Sequence, residues 1–283
     1  MGNCKYCGQP AGLLKSAHKE CEAEHQRALS LVSAGEGKMI TEIDQAISNG
    51  KNLTQLDNTL SALGAQYAVP PGKHRDMLIK GWEKSVDRAL EDGFLELHEE
   101  QRLMAFMQHF MLTQAELNLN GYFMKIAQAA VLRDVLEGKI PQRAKPDSSL
   151  GVNFQKGEQF VWRFKGVKYY EDKTKRQTVG RTQGVSIRVM KGVYYRVGQF
   201  KGTPIETTER TLVDTGDLVI TSKNIYFAGP SKSVRVPYDK IISFHPYQDG
   251  FGLMKDTATA KPQTFVTGDG WFVFNLVSNL SQL

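Results

Sequence analysis

The stretch "VDTGDLVITSKNIYFAGPSKSVRVPYDKIISFHPYQDGFGL" (Val213–Leu253) decides the fold of this chain. It is rich in β-branched and aromatic residues and is punctuated by Gly and Pro, as short strands joined by turns are. Two strand candidates stand out in it, "GDLVITSKNIYFAG" (216–229) and "KSVRVPYDKIISF" (232–244). Moving outward, "EQFVWRF" (158–164), "VSIRVM" (185–190), "GVYYRVG" (192–198) and "QTFVTG" (263–268) read the same way. Ser186 to Val189 alternates polar and apolar, as a half-buried strand does. The pattern then changes period. In "GDGWFVFNLVSNLSQ" (268–282), Phe272, Leu276, Val277 and Leu280 share one helical face. Short strands followed by one amphipathic helix predict a small β-barrel plugged by that helix.

The stretch 213–253 also resembles the core of GRAM and bacterial PH-like domains, on Gly216, Leu218, Thr221, Ile225, Phe227, Gly229, Val236 and Ile241. The resemblance implies a PH-like β-barrel with a capping helix over about residues 154–283. Members of these families bind phosphoinositides or proteins, and the lipid-binding ones concentrate Lys and Arg in an early strand-loop region. "KGVKYYEDKTKRQTVGRTQG" (165–184) takes that place here, which makes Lys173, Lys175, Arg176 and Arg181 the polyanion-binding candidates. The charge pattern points the same way. Twelve Lys or Arg lie between Phe154 and Lys201 against Glu158, Glu171 and Asp172, a local excess of +9 in a chain whose net charge is +6. Such an excess suits anionic lipid or nucleic acid, and equally a solvated basic sheet face. Tyr169, Tyr170, Tyr194 and Tyr195 lie among these charges. They suit either base stacking or cross-strand packing.

"GKIPQRAKPDSSLG" (Gly138–Gly151) has no apolar period and reads as a linker. Before it, residues 38–140 are helical in pattern. Met39, Ile43 and Ile47 step by four, as do Leu78, Trp82, Val86 and Leu90, and Leu103, Phe106, Met107, Phe110 and Met111 form a wide stripe. Pro70-Pro71-Gly72 interrupts the run. In "RALEDGFLELHEEQRLMAFMQHFMLTQAEL" (88–117) a helix ends, Asp92-Gly93 turns, Glu99-Glu100 open the next helix and Thr113 caps a third. That stretch is similar to the helical pairs of tellurite-resistance B-like domains. An EF-hand around Gly93 fails, because Arg88 and Leu90 stand where oxygen ligands belong. "HEEQR" lacks the second histidine of a zincin helix.

All three cysteines fall in the first 21 residues, within "MGNCKYCGQPAG" and at Cys21. Cys4, Cys7, His18 and Cys21 form C-x2-C-x10-H-x2-C, and two two-residue spacers let four soft ligands hold one tetrahedral zinc. His25 competes with His18 for the fourth place, since it follows Cys21 by one helical turn. The segment resembles small bacterial zinc-ribbon or zinc-knuckle modules over about residues 3–22. Acylation of Met1-Gly2-Asn3-Cys4 is disfavoured, because Tyr6 stands where the myristoylation pattern has Ser or Thr.

No P-loop, nucleophile elbow or cysteine outside the cluster offers catalysis. The remaining histidines His74, His98, His109 and His245 are scattered. There is no transmembrane run and no secretory h-region, so a cytoplasmic, bacterial-type protein is expected. The sequence therefore predicts an α+β multidomain chain: a zinc-ribbon module with its following helix (1–35), a helical domain (36–140), a linker (141–153) and a PH-like or GRAM-like barrel with a capping helix (154–283). The expected function is that of a non-catalytic intracellular adaptor, contacting a protein partner or an anionic surface. Nucleic-acid binding through the zinc module and the basic segment 154–201 is the alternative, and an enzyme with an unrecognised carboxylate site is the third reading.

Overall fold

A computed structural model describes residues 2–12, 15–146, 150–178, 187–190, 193–195, 204–257 and 260–283, with backbone alone between 173 and 208. The chain forms two compact units, one ending at Arg133 and the other beginning at Asp134.

The first unit opens with a short hairpin of β1 (Gly2–Asn3) and β2 (Pro10–Gly12) and continues as helices α1 (Lys19–Asn49), α2 (Leu53–Gln66), α3 (His74–Ala89), α4 (Leu97–His109), α5 (Gln114–Leu117) and α6 (Tyr122–Leu136), whose last turn runs past the boundary. Local chemistry sets the ends. Gly50 closes α1 in the left-handed region at φ 63°, and the Asn52 side chain caps α2 by accepting from Thr54 N and Gln55 N. Thr113 and Glu116 form a reciprocal capping box on α5. The core is the periodic set read from sequence: Met39, Ile43 and Ile47 of α1 pack with Leu56, Leu60, Met77, Trp82, Val86, Leu103 and Phe106. Trp82 donates its indole N–H to the Leu103 carbonyl at 3.0 Å, so the largest core side chain is also satisfied. Asp44, fully buried, is held by a two-pronged pair with Arg88 at 2.9 and 2.6 Å. The helix α1 runs unbroken through Gly35 and Gly37.

The second unit is built on an antiparallel sheet in the order β8-β7-β6-β3-β11-β10-β9. Its strands are β3 (Phe160–Thr178), β6 (Pro204–Thr221), β7 (Asn224–Ala228), β8 (Ser233–Pro237), β9 (Ile241–Tyr247), β10 (Gly250–Lys255) and β11 (Gln263–Val266). A separate hairpin pairs β4 (Ile187–Met190) with β5 (Val193–Tyr195). Tyr169, Phe227, Phe251 and Phe265 interlock on one face, with Tyr169 and Phe265 stacked at 4.8 Å. On the other face Leu150, Val219 and Tyr226 form a small cluster joined by Val152, Phe154 and Phe160. Glu158 pins that segment by accepting from Asn224 Nδ2 (2.7 Å), the Tyr226 hydroxyl (2.8 Å) and the Thr221 hydroxyl.

The expected closed barrel is corrected here. Among the described residues the seven strands form an open sheet, and its edge strands β8 and β9 do not pair with each other. Each edge carries a proline, Pro237 or Pro246, which has no N–H to give to a closing ladder. The C-terminal helix α7 (Gly270–Leu280), capped by Asp269, lies against β9 and β10 and buries Phe272, Leu276, Val277 and Leu280. Its Phe272 meets Trp162 of β3 at 4.9 Å, and Phe274 stacks on Phe244 of β9 at 5.3 Å. No helix among the described residues is long and apolar enough to cross a membrane.

Candidate metal centre

The cysteine-rich N-terminus folds as two half-sites. Cys4 leaves β1 into a tight turn in which Cys4 N donates to the Gln9 carbonyl (2.7 Å) and Gly8 N donates to the Cys4 carbonyl (2.9 Å). Gly8 sits at φ 73°, a conformation that glycine takes without strain. This turn brings Cys4 and Cys7 side by side. The second half-site is the start of α1. His18 is its N-cap residue, and Cys21 lies one turn further on.

The ligand-type atoms of Cys4, Cys7, His18 and Cys21 all lie within 4.8 Å of one another. His18 Nδ1 stands 3.4 Å from Cys7 Sγ and 3.7 Å from Cys21 Sγ. A tetrahedral ion with bonds of roughly 2.1–2.3 Å needs neighbouring ligands roughly 3.5–3.8 Å apart, and the two His18–cysteine separations are close to that. The imidazole is aimed by its other nitrogen: Nε2 donates to the Pro10 carbonyl at 3.1 Å, which leaves Nδ1 with its lone pair toward the cysteines. Pro10 was not singled out in the sequence, because a carbonyl partner carries no side-chain signature. These four residues can hold a metal ion. His25 is placed elsewhere, its ring 4.6 Å from that of Tyr6.

The electrostatics of the thiols divide in a way that a cation would resolve. The Cys7 backbone N–H, opposed by burial and helped by the backbone of His18 and Tyr6, brings the Cys4 thiol down to about 6. Cys21 is pushed up to about 11, by Cys7 first, then by burial and Cys4. Crowded sulfurs cannot all ionise side by side without a positive charge between them.

The polyanion candidates stand differently. Lys173, Lys175 and Arg176 are on β3, opposite Glu209, Thr207 and Glu206 of β6 in the ladder. Their side chains, and Arg181 altogether, lie outside the described residues. Tyr169 is a core residue with no exposure, so it is not a stacking platform. No family model matches the sequence, and neither the curated proteins nor the solved structures contain a match to it.

Proposed function

We propose that this chain is a non-catalytic adaptor in which zinc pins a small N-terminal head onto α1, while the sheet unit supplies a second contact surface. The observation that carries the reading is the four-membered Cys4, Cys7, His18 and Cys21 cluster. Three thiolates and one imidazole gathered within 4.8 Å suit zinc, and four protein ligands leave no position for water or substrate. Such a site organises a surface and does no chemistry itself. The head is well placed to meet a partner, because residues 22–31 of α1 behind it are exposed all round. In the sheet unit, the strand order and the C-terminal helix support an unclosed PH-like architecture. The resemblance residues act there as packing elements: Gly216 lets β7 approach so closely that a Cβ would meet the Ala228 carbonyl at 2.2 Å.

The test combines metal analysis with partner recovery. Freshly purified, reduced protein is expected to carry about one zinc per chain, from its single four-ligand set. The Cys7→Ser, Cys21→Ser variant is expected to lose the zinc together with at least one co-purifying protein. Metal-free wild type would reject the zinc centre, and an unchanged partner set would reject the docking role.

A further inference from the structure

The four ligands of the candidate metal centre divide evenly. Cys4 and Cys7 belong to the N-terminal turn, and His18 and Cys21 to the start of α1. Around them there is almost no core. Among the described residues before Gly35, the buried apolar side chains are Cys4 and Ala11. The other contacts that join the head to the helix start are light. Lys5 N donates to the Ser16 carbonyl (3.0 Å), His18 Nε2 donates to the Pro10 carbonyl (3.1 Å), and the Tyr6 ring lies 4.6 Å from that of His25. An ion shared by the two half-sites is therefore the main tie between head and helix, as in small domains whose metal binding is their folding.

The sulfurs differ in access. Cys7 is exposed, Cys21 is half-buried and Cys4 is only 2% exposed, so an oxidant from solution meets Cys7 first. Cys4 is the partner that stays beside it. The turn that sets these two together is held by its own backbone bonds, from Cys4 N to the Gln9 carbonyl (2.7 Å) and from Gly8 N to the Cys4 carbonyl (2.9 Å). Cys21 comes from the other half-site, and its place near Cys7 depends on the tie that the ion provides.

We propose that Cys4 and Cys7 are a peroxide-sensitive modification site, whose disulfide expels the metal and uncouples the head from α1. This rests on the zinc centre proposed above. The Cys7 sulfur attacks one oxygen of hydrogen peroxide, the O–O bond breaks, and hydroxide leaves, giving a sulfenic acid. The Cys4 sulfur then attacks the Cys7 sulfur, the S–O bond breaks, and a second hydroxide leaves. The two sulfurs give up two electrons to the peroxide, and the two hydroxides take up protons from the medium as water. Zinc loses two of its four ligands, and His18 and Cys21 alone do not make a zinc site. Because the new bond closes within the turn, it replaces none of the tie to α1. Cys21 is left as the odd thiol of the three. Partner docking through the head would then follow the thiol state of this pair.

The test uses the full chain, purified under reducing conditions, with its zinc counted first. Hydrogen peroxide is added, released zinc is read with a chromogenic chelator, and the thiol state is read by peptide mass mapping. Zinc is expected to leave in step with the loss of two of the three thiols, about one ion per disulfide. The map should show Cys4 joined to Cys7. Tryptic cleavage after the exposed Lys15 and Lys19 should become faster, while far-UV helicity is largely kept. Dithiothreitol with added zinc should restore the starting state. Reduced protein that holds no zinc at the outset rejects the metal centre itself, and this inference with it. Zinc that stays bound through the peroxide treatment overturns this inference and leaves the metal centre standing. A Cys7–Cys21 disulfide also overturns it, because that bond would fasten the head to α1. So does sulfinic acid at Cys7 without a disulfide, or tryptic cleavage that oxidation leaves unchanged.

Discussion

Asp44 has no solvent exposure, and its charge is answered by Arg88 in two hydrogen bonds and by Lys84 at 3.6 Å. Because the Arg88 side chain is itself half exposed, it can turn to water when its partner goes. Asp44→Ala should therefore cost about 2 kcal/mol, less than the roughly 3–5 kcal/mol of a fully enclosed pair, as read by urea denaturation. Glu116 is a second informative carboxylate. The Arg75 guanidinium, then the Thr113 side chain and backbone, bring it from 4.5 down to about 2. With a folded value below the unfolded one, its stabilising effect is complete above about 4.5 and fades as pH falls toward about 2. Arg75→Gln should flatten that acid limb in denaturation curves taken across the same window. At this scale the sequence was most legible for the cysteines, since ligand spacing is a local property of the chain. Spacing alone favoured His18 over His25, and the fold separates them: the N-cap position turns His18 toward the cysteines, and the His25 ring lies tilted against that of Tyr6.

Helix α1 shows how two glycines in one element carry opposite meanings. A Cβ on Gly35 would meet Tyr67 Cβ at 2.3 Å, whereas one on Gly37 meets nothing within 4 Å. Gly37→Ala should raise stability by up to about 1 kcal/mol through helix propensity. Gly35→Ala should lower it by about 1–3 kcal/mol through overpacking, despite the same propensity gain. Thermal denaturation of the two variants should give midpoints that move in opposite directions. The helices of the first unit were readable because their apolar period and their caps are written in neighbouring residues. The strand β3 was less so. Its 19 residues extend well beyond "EQFVWRF", because the charged run that follows pairs with β6 and draws its stability from a partner distant in sequence. The barrel expectation failed for the same reason. Closure depends on whether two edges can exchange hydrogen bonds, and Pro237 and Pro246 bear on that only once the edges are known.

For the molecule as a whole, the bundle core excludes the cysteine cluster, so metal loss and bundle unfolding should be separable. A chelator plus reductant should make the three cysteines react with a thiol reagent while far-UV helicity is largely kept. Equal thiol reactivity with and without chelator would mean that the cluster holds no ion. The charge excess read from residues 154–201 changes meaning at this scale, because Glu206 and Glu209 lie just past the counted window and face it across the ladder. The sheet topology also sets an order of events during synthesis. Gln263 of β11 is bonded to Tyr169 of β3 across 94 residues, and β11 is the strand that joins the two halves of the sheet. The helical unit, made of near-neighbour contacts, can fold while still tethered to the ribosome, and the long β3–β6 hairpin must then wait. Until β11 emerges, one side of β3 is an unpaired edge, which makes that interval the one in which a chaperone matters most to this protein.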